Sequence, residues 1–125
     1  MKSLWCWVIA VGLAASTACA DAADNPVGTR IADSTLHDFL GTKHSLGDLR
    51  DKKAVVIAFL GVECPLAKLY GSRLAELAGK YEPQGVAFIG LDANQQDTLA
   101  EIAHYARESN VNFPILKDPG NAVAD

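Results

Sequence analysis

Cysteine is scarce in this 125-residue chain, with only Cys6, Cys19 and Cys64, and no second cysteine stands near Cys64. That excludes a disulfide framework and, at Cys64, any exchange that needs a neighbouring resolving thiol. Histidine is equally sparse. His37, His44 and His104 lack ligand spacing with one another or with Cys64, so we expect no metal site, since structural zinc needs four convergent ligands. Basic residues are in deficit, with 11 Lys and Arg against 15 Asp and Glu for a net charge of −4. No basic stripe offsets this, which argues against nucleic acid as a partner. Past the first residues no apolar run approaches the roughly 20 residues of a membrane span. Internal repeats and low-complexity tracts are absent too.

What the chain does have begins at its first residues. Lys2 is followed by an apolar run, Leu4 to Ala15, and by two A-x-A sites, Ala18-Cys19-Ala20 and Ala20-Asp21-Ala22. This order reads as a secretory signal peptide over 1–22, with cleavage after Ala20 or Ala22 removing Cys6 and Cys19. Ser16-Thr17-Ala18-Cys19 loosely resembles a lipobox but lacks the leucine usual at its start, so a lipid anchor on Cys19 is the less favoured alternative. Cleavage after Ala20 leaves 10 basic and 15 acidic residues, a net charge of −5. The expected product is exported, periplasmic or extracellular, to an oxidising place. There a lone cysteine is a free thiol, an intermolecular partner or a catalyst.

Roughly a hundred residues remain, enough for one small domain. Residues 23–30 are small and polar and read as a linker, leaving a domain over 31–125. Thr35 to Phe39 and His44 to Leu46 form a predicted hairpin around Gly41, and Asp48 to Lys53 reads as a charged loop. The run Ala54 to Leu60, AVVIAFL, has no alternation and predicts a central strand buried on both faces. Pro65 suits a helix start, and Leu66, Leu69, Leu74 and Leu77 recur at helical spacing to about Tyr81, where Pro83 and Gly85 end the helix. A second strand is expected over Val86 to Leu91. A second helix, opened by Asp97 with Glu101 and running to about Asn110, buries Leu99, Ile102, Ala103 and Ala106. Phe113 to Asp118 is a short extended segment, and Asn121 to Asp125 begins another helix. Strand–helix–strand alternation implies a parallel pair and an α/β sheet.

Cys64 stands where the first strand turns into the first helix. Several unpaired backbone N–H groups and the positive end of the helix dipole meet there, and both favour the thiolate, the reactive form of a thiol. Glu63 opposes this with a neighbouring negative charge, and Lys68 and Arg73 face the site only in part. A buried, inert core thiol is the competing reading, weakened by the position of Cys64 beside Pro65 rather than inside the strand. Tyr70 is expected to pack against the sheet, with contact to the crevice the alternative. His104-Tyr105 is read as surface. Asp92 and Asn94 follow a strand and read as turn and cap, or as crevice residues.

The segments Ala32 to Asp38 with His44 to Leu49, AVVIAFLGVECPLAKLY, GVAFIGLDAN and FPILKDPGNAVAD resemble, in order and spacing, the thioredoxin superfamily. Within it they are most similar to the secreted redoxins of the alkyl hydroperoxide reductase C/thiol-specific antioxidant (AhpC/TSA) family. The resemblance covers nearly all of residues 31–125. It implies a thioredoxin-like α/β fold, a central sheet flanked by helices, and thiol-dependent oxidoreductase activity without a cofactor. Two positions depart from the superfamily pattern. Ala67 stands where a C-x-x-C motif has its second cysteine. Ile57 and Gly61 stand where peroxiredoxins have Pro and Thr or Ser. The resemblance also implies further elements, a strand carrying a cis-proline among them, so the domain is expected to be incomplete at its C-terminus.

The candidate site is therefore Cys64 as nucleophile. Glu63, Pro65, Leu66, Ala67 and Tyr70 are the residues expected to stabilise the thiolate or line the crevice. The expected function is a one-cysteine, peroxiredoxin-like oxidoreductase or antioxidant acting on a peroxide or a disulfide and recycled by an external thiol. The alternative is a non-catalytic thioredoxin-fold binding or adaptor module of a larger exported redox protein.

Overall fold

The computed structural model describes Val27, Gly28 and residues 30–124, and 31–124 fall within one compact unit. The signal peptide expected over 1–22, the lipid-anchor alternative at Cys19, most of the linker and Asp125 lie outside the described residues.

The predicted hairpin forms from β1, Thr35–Asp38, and β2, Lys43–Ser45, in antiparallel register with Leu36 opposite His44. Its turn needs a left-handed residue, which Gly41 supplies at φ 83°. Asp38 fixes the turn from beneath, its carboxylate accepting the N–H groups of Leu40 and Thr42 at 2.9 and 2.8 Å. The return strand ends at Ser45 rather than Leu46, and a 3-10 turn over Leu46–Leu49 runs into the segment read as a loop from Asp48, because Ser45 and Asp48 form a reciprocal capping box.

The strand β3 spans Ala54–Phe59 and pairs in parallel with β4, Val86–Asp92, which pairs in parallel with β5, Ile115–Lys117. β5 in turn lies antiparallel to β1, giving the order β2-β1-β5-β4-β3. The parallel pairs each enclose a helix in sequence: α1, Pro65–Tyr81, and α2, Leu99–Glu108. One expectation fails here. β3 is not central, but stands at one side of the sheet with β4 as its only partner among the described residues. Val55 and Phe59 remain exposed. An apolar run reports a strand that gains by burial; it does not report how many neighbours the strand has.

Alternation along the strands sends side chains to two cores. On one face Leu60, Val62, Phe113 and Ile115 pack with Ala67 and Ala78 of α1 and with Ile102, Tyr105 and Ala106 of α2. On the other, Ile89, Leu91 and Leu116 pack with Leu36, Leu46, Ile57 and Val123. Both helices therefore share the first core.

Helix α1 has the predicted limits, starting at Pro65 and ending before a 3-10 turn that closes on Gly85 at φ 86°. Its buried seam differs from the expected leucines. It consists of Ala67, Gly71, Ala75 and Ala78, while Leu66 and Leu69 are exposed and Leu74 and Leu77 only partly buried. The cause is close approach: a Cβ on Gly71 would sit 2.6 Å from the Tyr105 hydroxyl and 2.8 Å from Ser109 Cβ. Helix α2 is capped by Thr98, not by Asp97, through a capping box with Glu101. The chain end described, Asn121 to Ala124, is a turn rather than the start of a helix. The buried Asp118 carboxylate organises it by accepting the N–H groups of Val123 and Ala124 at 2.9 and 3.0 Å. No helix among the described residues is long and apolar enough to cross a membrane.

Candidate functional site

Cys64 occupies the N-cap position of α1, with φ −72° and ψ 120°, and its thiol is free and exposed. The chain reaches it through a tight turn closed by the Cys64 N–H donating to the Gly61 carbonyl at 3.0 Å. The Cys64 carbonyl accepts the first helical N–H, from Lys68, also at 3.0 Å. Pro65 follows at the first helical position, where its lack of an N–H costs nothing. The competing expectation of a buried, inert core thiol is not met.

The expected companions of Cys64 divide. Glu63 is exposed, and its carboxylate lies 3.3 Å from the Lys68 ammonium, which offsets the charge beside the thiol. That pair is open to water and contributes little to stability. Leu66 and Tyr70 are exposed, at 64% and 54%. Tyr70 therefore does not pack against the sheet as expected. Ala67 points the other way. It is buried, and its carbonyl accepts the Tyr105 hydroxyl at 2.7 Å. The position a second cysteine would occupy in a C-x-x-C motif thus holds a small side chain locked into the core.

Tyr105 and Asp97 are site neighbours that sequence reasoning missed. Tyr105, expected on the surface, is 5% exposed beneath the first turns of α1. Burial pushes its phenol above the usual range; the bond to Ser109 opposes this, and negative charge on Cys64 adds to it. Its signal was available in the i, i+3 spacing from Ile102 on the inner face of α2. His104, one residue earlier, faces water and pairs with Glu108 at 3.3 Å. Asp97 is also buried, and its carboxylate accepts the Val62 N–H at 2.8 Å. No local pattern betrays that contact, which joins residues 35 apart in the chain. Asp92 closes β4 at 1% exposure, and Asn94 bonds to Asp97 rather than lining an open crevice.

Beside the Cys64 turn runs a groove of about 380 Å³ bounded by Val62, Glu63 and Lys68 on one side and by Glu101, His104 and Glu108 on the other. A separate cavity of about 200 Å³ lies at the opposite end of the strands, around Val86, Phe88 and Phe113, remote from the thiol.

The model of the AhpC/TSA family matches residues 27–125. The thiol-disulfide oxidoreductase ResA of Halalkalibacterium halodurans is 29% identical over 98 residues, covering 78% of this chain and 54% of that protein. The chain thus spans about half the length of the curated relatives it matches. Among solved structures, a hypothetical protein from Sinorhizobium meliloti 1021 is 33% identical with a TM-score of 0.73, over 78% of this chain and 56% of that one. A secreted disulfide oxidoreductase of Mycobacterium tuberculosis shares the fold at a TM-score of 0.64 and 21% identity, over 72% of this chain and 63% of that one. With its sheet, its two helices and Cys64 at a helix start, the chain belongs to the AhpC/TSA family of thioredoxin-fold redoxins.

Proposed function

We propose that the protein is an exported thiol-dependent oxidoreductase that works through Cys64 alone. The observation that carries this reading is the placement of a free, exposed thiol at the N-cap of α1, with no side-chain bond competing for the helix N–H groups. With a peroxide, the thiolate attacks one peroxide oxygen, the S–O bond forms as the O–O bond breaks, and the departing alkoxide or hydroxide takes up a proton. The resulting sulfenic acid condenses with an external thiol, releasing water, and a second thiol frees Cys64 as the external pair becomes a disulfide. With a disulfide, the thiolate forms a mixed disulfide and expels a thiolate; the external thiol then restores Cys64. In both cycles the second thiol comes from outside, because Ala67 is buried and carries no sulfur.

The residues of the motif favour the disulfide over the peroxide. Gly61 offers no hydroxyl to orient a peroxide, and the ResA relatives are named for thiol-disulfide exchange. Glu63, Pro65, Leu66 and Tyr70 surround the approach to the thiol. Export rests on the signal-peptide pattern of residues 1–22 and on a lone cysteine suited to an oxidising compartment. A second reading, a non-catalytic binding module, draws on the absence of both the resolving cysteine and the hydroxyl at Gly61.

The test is consumption of hydrogen peroxide and of a small-molecule disulfide by the full chain, with excess dithiothreitol or glutathione as reductant. Cys64→Ser is the control. Cys64-dependent turnover of either substrate supports the enzyme; which of the two is turned over assigns the substrate. Equal rates for wild type and Cys64→Ser on both would leave the binding module.

A further inference from the structure

Behind the Cys64 turn lies a buried polar network that the thiol cycle does not use. Asp97, 5% exposed, accepts the Val62 N–H through Oδ2 and the Asn94 side-chain amide through Oδ1, at 2.8 and 2.9 Å. Lys117 reaches over from β5 and donates to the Asp97 carbonyl at 2.8 Å, to the Asn94 carbonyl, and to Asp92 Oδ1 at 2.9 Å. The second oxygen of Asp92 is buried with no hydrogen-bond partner among the described residues. One ammonium group therefore ties the ends of β4 and β5 to the segment carrying Asp97. Asp97 ties that segment to the backbone two residues before Cys64. Gly61 leaves the space between them open: Asp97 Oδ2 and Cys64 Cβ lie 3.7 and 3.9 Å from the point a Gly61 Cβ would occupy.

We propose that Asp97 is a positioning residue for Cys64, with Lys117 as the strut that holds it. This rests on Cys64 being the reactive group of the proposed function. Asp97 acts in two separable ways. Its Oδ2 anchors the Val62 N–H, which keeps the Gly61–Cys64 turn closed and Cys64 at the N-cap of α1. Its negative charge opposes a second negative charge on the sulfur. The other charged or titratable groups around the turn are Glu63 and Lys68 from α1 and its approach, Glu101, His104, Tyr105 and Glu108 from α2, and Asp92 with Lys117 from the strand ends. The substitution Asp97→Asn keeps one oxygen to accept the Val62 N–H, gives up the bond from the Asn94 amide and loses the charge, and Asp97→Ala loses all three. Asp97→Glu keeps the charge but displaces the acceptor by one methylene.

The experiment measures alkylation of Cys64 by iodoacetamide from pH 5 to 10 in the full chain, on wild type and on the Asp97→Asn, Asp97→Ala and Asp97→Glu variants. Thermal melts run alongside. Asp97→Asn is expected to react roughly threefold faster than wild type at pH 7, the effect of one unit charge several ångströms away in water-like surroundings. Asp97→Ala is expected to react more slowly than Asp97→Asn, since it gains the same relief of charge without the anchor. Asp97→Glu is expected to react more slowly than wild type. A purely structural Asp97 would lower melting temperatures and leave all the pH profiles superimposed on wild type, which overturns the proposal. Should Asp97→Ala not fold, the opposed shifts of the Asn and Glu variants still decide it. Alkylation needs no substrate, so a chain that turns over neither peroxide nor disulfide still answers this question.

Discussion

Gly71 sits in the middle of α1, where glycine ordinarily costs a helix about 1 kcal/mol relative to alanine. Here the sign reverses. A Cβ at this position meets the Tyr105 hydroxyl at 2.6 Å and Ser109 at 2.8 Å, and both side chains are held in the core. Overpacking of that kind costs about 1–3 kcal/mol, so Gly71→Ala is expected to lower the unfolding free energy by about 1 kcal/mol in urea titrations despite its better helix propensity. Adding Tyr105→Phe removes the atom nearest the new methyl, and the double mutant should be less destabilised than the two single costs added together. The same close contact explains why the inner seam of α1 was hard to read. Leucine spacing is a signal of amphipathicity, whereas a seam of Ala67, Gly71, Ala75 and Ala78 signals only that something large comes near. Asp92 makes a second prediction of this local kind. Burial, only partly offset by Lys117, raises its carboxyl to about 6. The folded chain therefore holds this proton more tightly than the unfolded one. The stabilisation so gained is fully present below the unfolded value of 3.8 and is lost as pH rises through about 6. Asp92→Asn should abolish that slope, so that the stability difference between wild type and variant changes between pH 4 and 7 by on the order of 2 kcal/mol.

The two helices owe their limits to residues that act locally, and those of α1 were legible. Pro65 at the first turn and Gly85 after the last placed both ends of α1, because fixed φ and left-handed φ act within one or two residues of where they occur. Thr98 and Glu101 cap α2 by the same local logic, with the Glu101 carboxylate accepting the Thr98 N–H and hydroxyl at 2.8 Å. Sequence reading paired Glu101 with Asp97 instead. A carboxylate one residue before a threonine looks like an equally good cap until a distant backbone N–H, that of Val62, claims it. Thr98→Ala should cost about 1 kcal/mol in a urea melt and reduce helical signal at 222 nm modestly. Val62 should be unaffected, since its anchor belongs to Asp97. The candidate site divides along the same line. The Cys64–Pro65 helix start was visible because it is contiguous. Tyr105 and Asp97 were not, because they reach the site from α2 and its approach across the fold.

The arrangement of the sheet was the least legible part of the whole. The order of elements implied a parallel pair and an α/β sheet; β3 pairs in parallel with β4, and β5 extends the parallel pairing on the other side of β4. What hydrophobicity could not disclose was which strand stands at the side. β3 is AVVIAF, six residues with no charge and no proline, and among the described residues its outer edge has no partner. Exposed apolar side chains include Phe59 at the end of this strand, at 64%, and Leu66, Leu69 and Tyr70 on α1, at 64%, 67% and 54%. An uncharged edge of this kind is a template for pairing with another copy of itself, and among the described residues no lysine, proline or bulge interrupts it between Ala54 and Phe59. The chain of residues 31–125 is therefore expected to associate in a concentration-dependent way. Light scattering at about 10 and about 200 μM would register it as a rise in mean mass. Phe59→Lys places a charge on the exposed face at the strand end without emptying the core, since Phe59 is already mostly in water. That variant should remain closer to the monomer mass over the same range while its urea midpoint stays within about 0.5 kcal/mol of wild type, as surface substitutions do. A mean mass that is independent of concentration in the wild type would show that this edge is protected in solution. An unchanged association in Phe59→Lys would move the contact to the α1 surface of Leu66 and Leu69.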